Sequence, residues 1–253
     1  MMAQAAAKSQ QVIAASEGGA RTTASRLRGQ LGFWSGLLTA VCALGFLTGS
    51  LAYPTPAWRG MGAYIASFDS SQMLWMIPAL VLAPSFLVLM VCVHAGATDE
   101  RKLLAEIAVV FATVYATLAT TNYFIQLIAV RPSILSGSAQ GLAFLSMANP
   151  NGLFIALEGL GYLFQEIGML FVAFVFVGSR LKWSIRWSLF GASFGCWLIA
   201  GILVLALPRS LLSGLGSLGV VSVGTDLWAI FTALAGILLA VHFRKQGMAR
   251  QGT

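Results

Sequence analysis

Residues 152–177 read GLFIALEGLGYLFQEIGMLFVAFVFV, and this stretch indicates the class of protein to which the chain belongs. About 20 predominantly apolar residues in a helix are enough to cross the roughly 30 Å hydrocarbon core of a bilayer. The stretch is long enough to do so, and its only charged residues are Glu158 and Glu166. It is therefore predicted to be a membrane-spanning helix that carries two carboxyl groups.

The rest of the chain has the same apolar character. Hydrophobic residues make up 58% of the 253 residues and charged residues only 9%, and no long polar stretch remains that could build a soluble domain. The predicted fold class is all-α, a polytopic membrane helix bundle with six transmembrane helices. The predicted spans are 31–53, 73–94, 103–130, 152–177, 184–207 and 218–242.

The basic residues predict how this bundle is oriented. Cytoplasmic segments of membrane proteins are enriched in Lys and Arg. If the N-terminus lies inside, only Arg59, Arg131 and Arg209 of the 15 basic residues fall on the outer side, and six spans return the C-terminus to the cytoplasm. This asymmetry accounts for the net charge of +7. Nucleic-acid binding is not predicted, because it would need a basic face on a soluble surface.

The segments outside the spans are short. Residues 1–30 are predicted to be a disordered basic N-terminal tail, 31–243 the transmembrane domain, and 244–253 a short basic cytoplasmic tail. The first segment is rich in Ala, Ser and Arg, a composition that fits a disordered tail and also an organelle transit peptide. We favour the tail. The predicted location is a cell inner membrane, with an organelle inner membrane as the alternative, and the lipid bilayer is the predicted partner.

Polar side chains on three predicted spans fall on shared helix faces. Residues three, four, seven or eleven positions apart lie on the same side of a helix. Such faces are unlikely to contact lipid, so the three faces are predicted to converge inside the bundle. They contain Tyr115, Asn122 and Gln126 in span three, Glu158, Tyr162, Gln165 and Glu166 in span four, and Asp226 in span six.

Depth along the helices predicts a pocket near the outer surface. Asn122, Gln126, Glu158 and Asp226 all fall close to the outer ends of their spans, whereas Glu166 lies about 12 Å deeper at roughly 1.5 Å of rise per residue. In a low dielectric, ionising both of two neighbouring carboxyl groups is energetically unfavourable. Glu158 and Asp226 together are therefore predicted to carry a proton, hold a cation, or bind a cationic or hydroxylated ligand. The alternative is a structural clasp, in which protonated acids hydrogen-bond to neighbouring helices.

Three classes of function remain open. The first is a small permease or proton/cation-linked carrier with this outward-facing pocket, in which Glu166 relays protons deeper. The second is a non-catalytic membrane subunit or scaffold. The third, ranked behind both, is an intramembrane enzyme that acts on a lipid-like substrate with Glu158 or Asp226 as general acid/base.

The scaffold hypothesis rests on pairs of glycines four residues apart, which let membrane helices approach closely. They would serve a homo-oligomer or membrane-protein partners, although packing within one chain explains them equally well. The pairs are Gly32/Gly36, Gly45/Gly49 and Gly191/Gly195.

Motifs for other chemistry are missing. The chain has no Walker lysine loop, no HExxH and no GxGxxG after a predicted strand. His94 and His242 fall at the inner ends of spans without helical pairing, so we interpret them as helix-end residues and predict no metal site. No cofactor is indicated.

Overall fold

Helices make up all of the regular secondary structure in the part of the chain that the structure describes. The structure is a computed structural model that describes residues 2–138, 140–194 and 220–249, with side chains for 23–138, 140–194 and 223–248. A 3₁₀ turn covers Ser70–Met73, and a π-helical turn covers Gln126–Val130. The α-helices are α1 (Met2–Ala52), α2 (Met61–Ser67), α3 (Met76–Gly96), α4 (Asp99–Ile125), α5 (Arg131–Leu135), α6 (Leu142–Leu145), α7 (Leu153–Ala173), α8 (Arg180–Ser193) and α9 (Val220–Ala249).

Five helical segments among the described residues are long and apolar enough to cross a membrane. They confirm the all-α, multi-span class and agree with five of the six predicted spans. The remaining prediction, 184–207, begins within α8, and its continuation lies in 195–219, outside the described residues. The total of six spans and the orientation of the termini stay predictions. The five segments are Thr23–Ala52, Ser70–Gly96, Asp99–Leu135, Leu153–Ala173 and Val223–Met248.

The predicted tails do not coincide with helix ends. α1 begins at Met2, so helical backbone also covers most of the segment 1–30, which the sequence assigned to a disordered tail. The high helix propensity of the many alanines in this segment accounts for the difference. At the other end, α9 continues to Ala249, past the predicted boundary at residue 244.

The long helices form a closed ring in chain order. α1 packs against α3, α3 against α4, α4 against α7, α7 against α8, and α8 against α9, and α9 packs back against α1. Each of these helices therefore has its sequence neighbours beside it among the described elements. The side chains that point into the ring come from every part of the chain, and they form the core.

Two glycines form the seam where α1 meets α9. A Cβ atom on Gly36 would lie 2.8 Å from the carbonyl oxygen of Gly236, and one on Gly236 would lie 2.7 Å from the carbonyl oxygen of Gly36. Real Cβ atoms do not approach backbone so closely, so the two helices touch through their main chains. This is the close approach that small residues allow between membrane helices.

The other glycine pairs are also packed inside the chain. A Cβ atom on Gly45 would lie 3.1 Å from Pro78, and one on Gly49 would lie 3.0 Å from Trp75, both near the start of α3. On α8, Gly191 lies directly against the ring of Phe231, whereas Gly195 is outside the described residues. These faces are occupied by the chain itself, and an oligomer or partner contact through them stays a prediction.

The two ends of the ring differ in composition. At one end, Arg28 Nη1 donates to the carbonyl of Ala95 at 2.9 Å, and Arg101 Nη1 donates to the carbonyl of Val175 at 3.1 Å. We call this the basic end. The opposite end, called the loop end, carries the segment 53–75 with α2 and the segment 131–152 with α5 and α6.

Candidate functional site

A chain of three hydrogen-bonded side chains lies between α4 and α7 near the loop end. The hydroxyl of Tyr123 donates to Oε1 of Glu158 at 2.7 Å and lies 2.9 Å from the hydroxyl of Tyr162. Glu158 and Tyr162 share a face of α7 because they are four residues apart. Since the proton of Tyr123 is directed to the carboxylate, the Tyr162 hydroxyl is the donor between the two tyrosines. We call these three residues the tyrosine–carboxylate chain.

The three residues of the tyrosine–carboxylate chain differ in exposure. Glu158 is half-buried, whereas Tyr162 is 3% exposed and Tyr123 is fully buried. Glu158, in the second turn of α7, is therefore the least enclosed of the three residues, and the tyrosines lie in the interior. A tyrosine hydroxyl can both donate and accept, so such a chain can pass a proton along its length.

Aromatic side chains from several helices of the bundle surround these tyrosines. The ring of Tyr162 meets Trp228 of α9 edge-on, with the centroids 4.6 Å apart, and lies 5.9 Å from Tyr115 of α4. Trp75 meets Tyr123 at 5.8 Å, and Phe46 of α1 meets Trp228 at 5.6 Å. Edge-to-face pairs at these distances add stability beyond the area they bury and fix the orientation of the rings. The site is thus held by α1, α3, α4, α7 and α9 together.

Several polar atoms in this interior have no hydrogen-bond partner among the described residues. They are the hydroxyl of Tyr115, the indole nitrogen of Trp228, and both amide atoms of Gln165, on residues that are at most 1% exposed. Most buried polar groups in proteins are paired, so a group of unpaired ones calls for a functional or structural reason. Their donors and acceptors are available to a polar ligand or to a proton.

Glu166 is the deeper of the two acids on α7. It is fully buried, and it takes part in an interaction with other groups. It follows Glu158 by eight residues, which places it about 12 Å further along the helix axis at roughly 1.5 Å per residue. Both carboxyl groups lie on one continuous helix, and their depth in the membrane stays a prediction.

Asn122 and Gln126 bind main chain rather than each other. Nδ2 of Asn122 donates to the carbonyl of Phe154 at 3.0 Å. Nε2 of Gln126 donates to the carbonyl of Leu145 at 2.8 Å, and its Oε1 accepts from the N–H of Met147 at 3.2 Å. Both residues thus hold the start of α7 and the segment before it against α4.

The π-helical turn, Gln126–Val130, directly follows the end of α4 at Ile125. The N–H of Arg131 donates to the carbonyl of Gln126, five residues back, so the helix is wider there than an α-helix. Turns of this kind inside helices occur frequently at functional sites. Gln126 begins this turn, and both ends of its side chain reach the segment before α7.

Asp226 is half-buried on α9. Within the described residues, the hydrogen bond of Glu158 goes to Tyr123, and none joins Glu158 to Asp226. The pairing of the two acids at one cation stays a prediction. Among the predicted residues, the structure brings Tyr115 of span three against Tyr162 of span four, and Trp228 of span six contacts Tyr162. Asn122 and Gln126 bind main chain instead.

Sequence reasoning missed two central residues, Tyr123 and Trp228. Tyr123 is the only described side chain that joins Glu158 to Tyr162 by hydrogen bonds to both. The hydroxyl of Tyr123 was a signal that could have identified it, because Tyr115, in the same predicted span, was selected for the same polar group. Trp228 lies two residues after Asp226, and its indole N–H gives an otherwise apolar side chain a polar end.

No group of three or more His, Cys, Asp or Glu residues that could hold a metal ion occurs in the described part of the chain. A single proton or a cation bound by one carboxylate, hydroxyls and aromatic faces is the chemistry open to the tyrosine–carboxylate chain.

The fold and the composition together define the class of this protein: it is a multi-pass helical membrane protein. No protein-family model, curated protein or solved structure matches the chain.

Proposed function

We propose that this protein is a small permease, a proton- or cation-linked carrier, in which Glu158 is the coupling group. The observation that carries the proposal is the tyrosine–carboxylate chain, which connects a half-buried carboxylate with the interior of the bundle. Ionisable residues within membrane-spanning segments are costly and commonly mark ion pathways or proton relays. In this proposal Glu158 exchanges a proton with one side of the membrane.

Beyond Tyr162 the proposed route continues through polar groups of the core. Gln165 and Glu166 lie on the next turn of α7, and the hydroxyl of Tyr115 and the indole of Trp228 belong to rings that contact Tyr162. Their unpaired donors and acceptors support a binding role for this interior. In this proposal Glu166 receives the proton deeper in the bundle, and Asp226 assists Glu158 near the entrance.

The proposed orientation follows from charge. The basic end carries Arg28, Arg101, Lys182 and Lys245, so by the positive-inside rule it faces the cytoplasm. The loop end and Glu158 then face outward, and the membrane is a cell inner membrane. Proton entry at Glu158 would therefore be from the outer side.

The test is a flux assay on the purified protein in liposomes. An imposed pH gradient or membrane potential drives protons or cations. A pH-sensitive dye inside the vesicles reports proton entry, and a cation-sensitive dye reports cation entry. Glu158→Gln keeps the size of the side chain and removes the ionisable group, and Tyr123→Phe removes only the hydroxyl that joins Glu158 to Tyr162. Both variants should abolish the flux.

Glu106→Gln is the matched control. Glu106 is an exposed carboxylate on α4, so its neutralisation should leave the flux unchanged. Flux at the wild-type rate in correctly folded Glu158→Gln protein would contradict the proposed coupling role. Loss of flux in all three variants alike would show that the assay responds to damaged protein rather than to the site.

A second candidate function is that of a non-catalytic membrane subunit or scaffold. The main-chain hydrogen bonds of Asn122 and Gln126 favour it, because these predicted pocket residues act as clasps. In that case Glu158→Gln should change the melting temperature of the protein without affecting any flux. Native mass spectrometry should then show the chain bound to other polypeptides. A homogeneous single species with flux sensitive to Glu158 would exclude this candidate.

A further inference from the structure

A cavity of about 270 Å³ opens at the basic end of the bundle, remote from the tyrosine–carboxylate chain. It lies where five parts of the chain meet: the end of α3, the start of α4, the residues between α7 and α8, the first turn of α8, and the last turns of α9. Its inner wall is apolar and includes Val93, Phe176 and Phe243, whereas charged and polar side chains line the rest. A shape of this kind, apolar in depth with a few convergent polar groups, is typical of a ligand site.

Two cations of the cavity come from different helices. Arg101, in the first turn of α4, donates through Nη1 to the carbonyl of Val175, which fixes the guanidinium at the edge of the cavity and leaves its other donors available. Lys182, in the first turn of α8, is half-buried and makes no hydrogen bond or ion pair with any described residue. An ammonium group half removed from water without a counter-charge favours the binding of an anion.

Hydrogen-bond donors, helix N-termini and a further cation add to the positive potential of the cavity. The amide nitrogen of Gln246 lies 2.9 Å from Nε2 of His242, and because an amide nitrogen can only donate, a neutral ring carries its proton on Nδ1. The first turns of α4 and α8 both lie at the cavity, and the N-terminus of a helix carries partial positive charge. Arg28 hydrogen-bonds to the oxygen of Gln246 and lies against Gly96, so a third cation, and the second guanidinium, supports the same corner.

One acid opposes these groups. Glu100 also lines the cavity, but it is exposed and lies in the first turn of α4, where the helix dipole stabilises a carboxylate. The basic groups outnumber it, and the cavity keeps a net positive charge. Glu100 therefore lowers the affinity for an anion without removing the site.

We propose that this cavity binds a phosphate group, carried either by a lipid head group or by free phosphate in solution. Arg101 offers a planar pair of donors suited to phosphate oxygens, and Lys182 offers a point charge on the other side. Basic pockets between transmembrane helices are known to receive lipid head groups. The apolar inner wall would hold the first part of an acyl chain in the lipid case. The proposal does not depend on the carrier function.

The experiment measures the binding of two probes to the full-length protein. Native mass spectrometry follows the binding of phosphatidylglycerol, with phosphatidylcholine for comparison, and isothermal titration calorimetry follows inorganic phosphate. Lys182→Gln should weaken binding about fivefold, the change expected for one basic residue near a membrane surface. Glu100→Gln should strengthen binding, because it removes the opposing charge.

Lys102→Gln is the matched control, because Lys102 is an exposed cation next to Arg101 that does not line the cavity. Its affinities should equal those of the wild type. A Lys182→Gln loss seen with phosphatidylglycerol alone assigns the site to a lipid head group, and a loss with both probes assigns it to phosphate from either source. Equal losses in the two lysine variants, an unchanged Lys182→Gln affinity, a weaker Glu100→Gln affinity, or no binding of either probe would overturn the proposal.

Discussion

Gln126 holds the segment before α7 through both ends of its amide, and its removal gives a sharp test of this role. In Gln126→Met the side chain keeps its length but loses the hydrogen bonds to Leu145 and Met147. Each bond is worth about 0.5–1.5 kcal/mol, and an unpaired buried N–H adds about 1–3 kcal/mol. Met147 is 8% exposed, so water replaces its lost partner poorly. The expected loss of unfolding free energy is about 2–6 kcal/mol.

Asn122→Leu is the comparison. It removes one hydrogen bond, to Phe154, but it also removes an oxygen, Oδ1, that is buried without a partner among the described residues. The two effects oppose each other, and we expect a net loss below about 1 kcal/mol. The ranking of the two variants therefore follows from partner counts and not from burial, since both residues are at most 1% exposed.

Hydrogen–deuterium exchange of the segment 142–152 in detergent micelles measures the local effect. A loss of about 2 kcal/mol corresponds to roughly 30-fold faster exchange at the Met147 amide in Gln126→Met. The equilibrium unfolding of both variants gives the global free energy. Unchanged exchange at Met147, or a larger loss in Asn122→Leu than in Gln126→Met, would refute the assignment of Gln126 as the clasp of this segment.

Two further predictions concern the seam between α1 and α9 and a tyrosine outside the spans. Gly36→Val places a Cβ against the backbone of α9 and should cost about 1–3 kcal/mol of stability by overpacking. Gly62→Ala is the control, because its Cβ would meet nothing within 4 Å, and it should leave the melting temperature in detergent unchanged. Equal effects of the two substitutions would contradict the close contact at the seam. Burial raises the pKa of Tyr64 to about 12, so between roughly pH 10 and that value the unfolded chain releases a proton that the folded chain keeps, and stability falls as the pH rises. Tyr64→Phe should remove this part of the pH dependence, and an unfolding free energy with the same alkaline slope in both proteins would show that Tyr64 does not cause it.

The membrane spans were predictable because hydrophobic length is a local property of the sequence. Five predicted spans correspond to apolar helices in the structure, and their bounds differ by no more than about a turn or two, apart from the extensions of α1 and of the predicted third span. Nothing local marked the end of α1 at Met2, because an alanine-rich polar segment is compatible with both a helix and a tail.

The meeting of spans three and four was also predictable, since polar faces on two membrane helices avoid lipid. The details of the site were not. Tyr123 lies about 80° around α4 from Tyr115, outside the narrow face that joins Tyr115, Asn122 and Gln126. Gln126 was predicted to line the pocket because it shares a helix face with Tyr115 and Asn122. Its hydrogen-bond partners, however, belong to a segment that returns from elsewhere in the chain. Helix order and loop return are non-local, and spacing along one helix contains no information about them.

Because of the glycine seam, the packing of α1 is complete only after α9 has been synthesised. Through the contacts from α1 to α8, each helix can dock on one that was synthesised just before it, so assembly can keep pace with translation. Among the described residues, the face of α1 that contains Gly36 packs against α9, and until α9 enters the membrane this face remains open to lipids and to other chains. A chain interrupted before α9 would therefore expose a close-packing surface early in the sequence, which the membrane quality-control machinery could recognise.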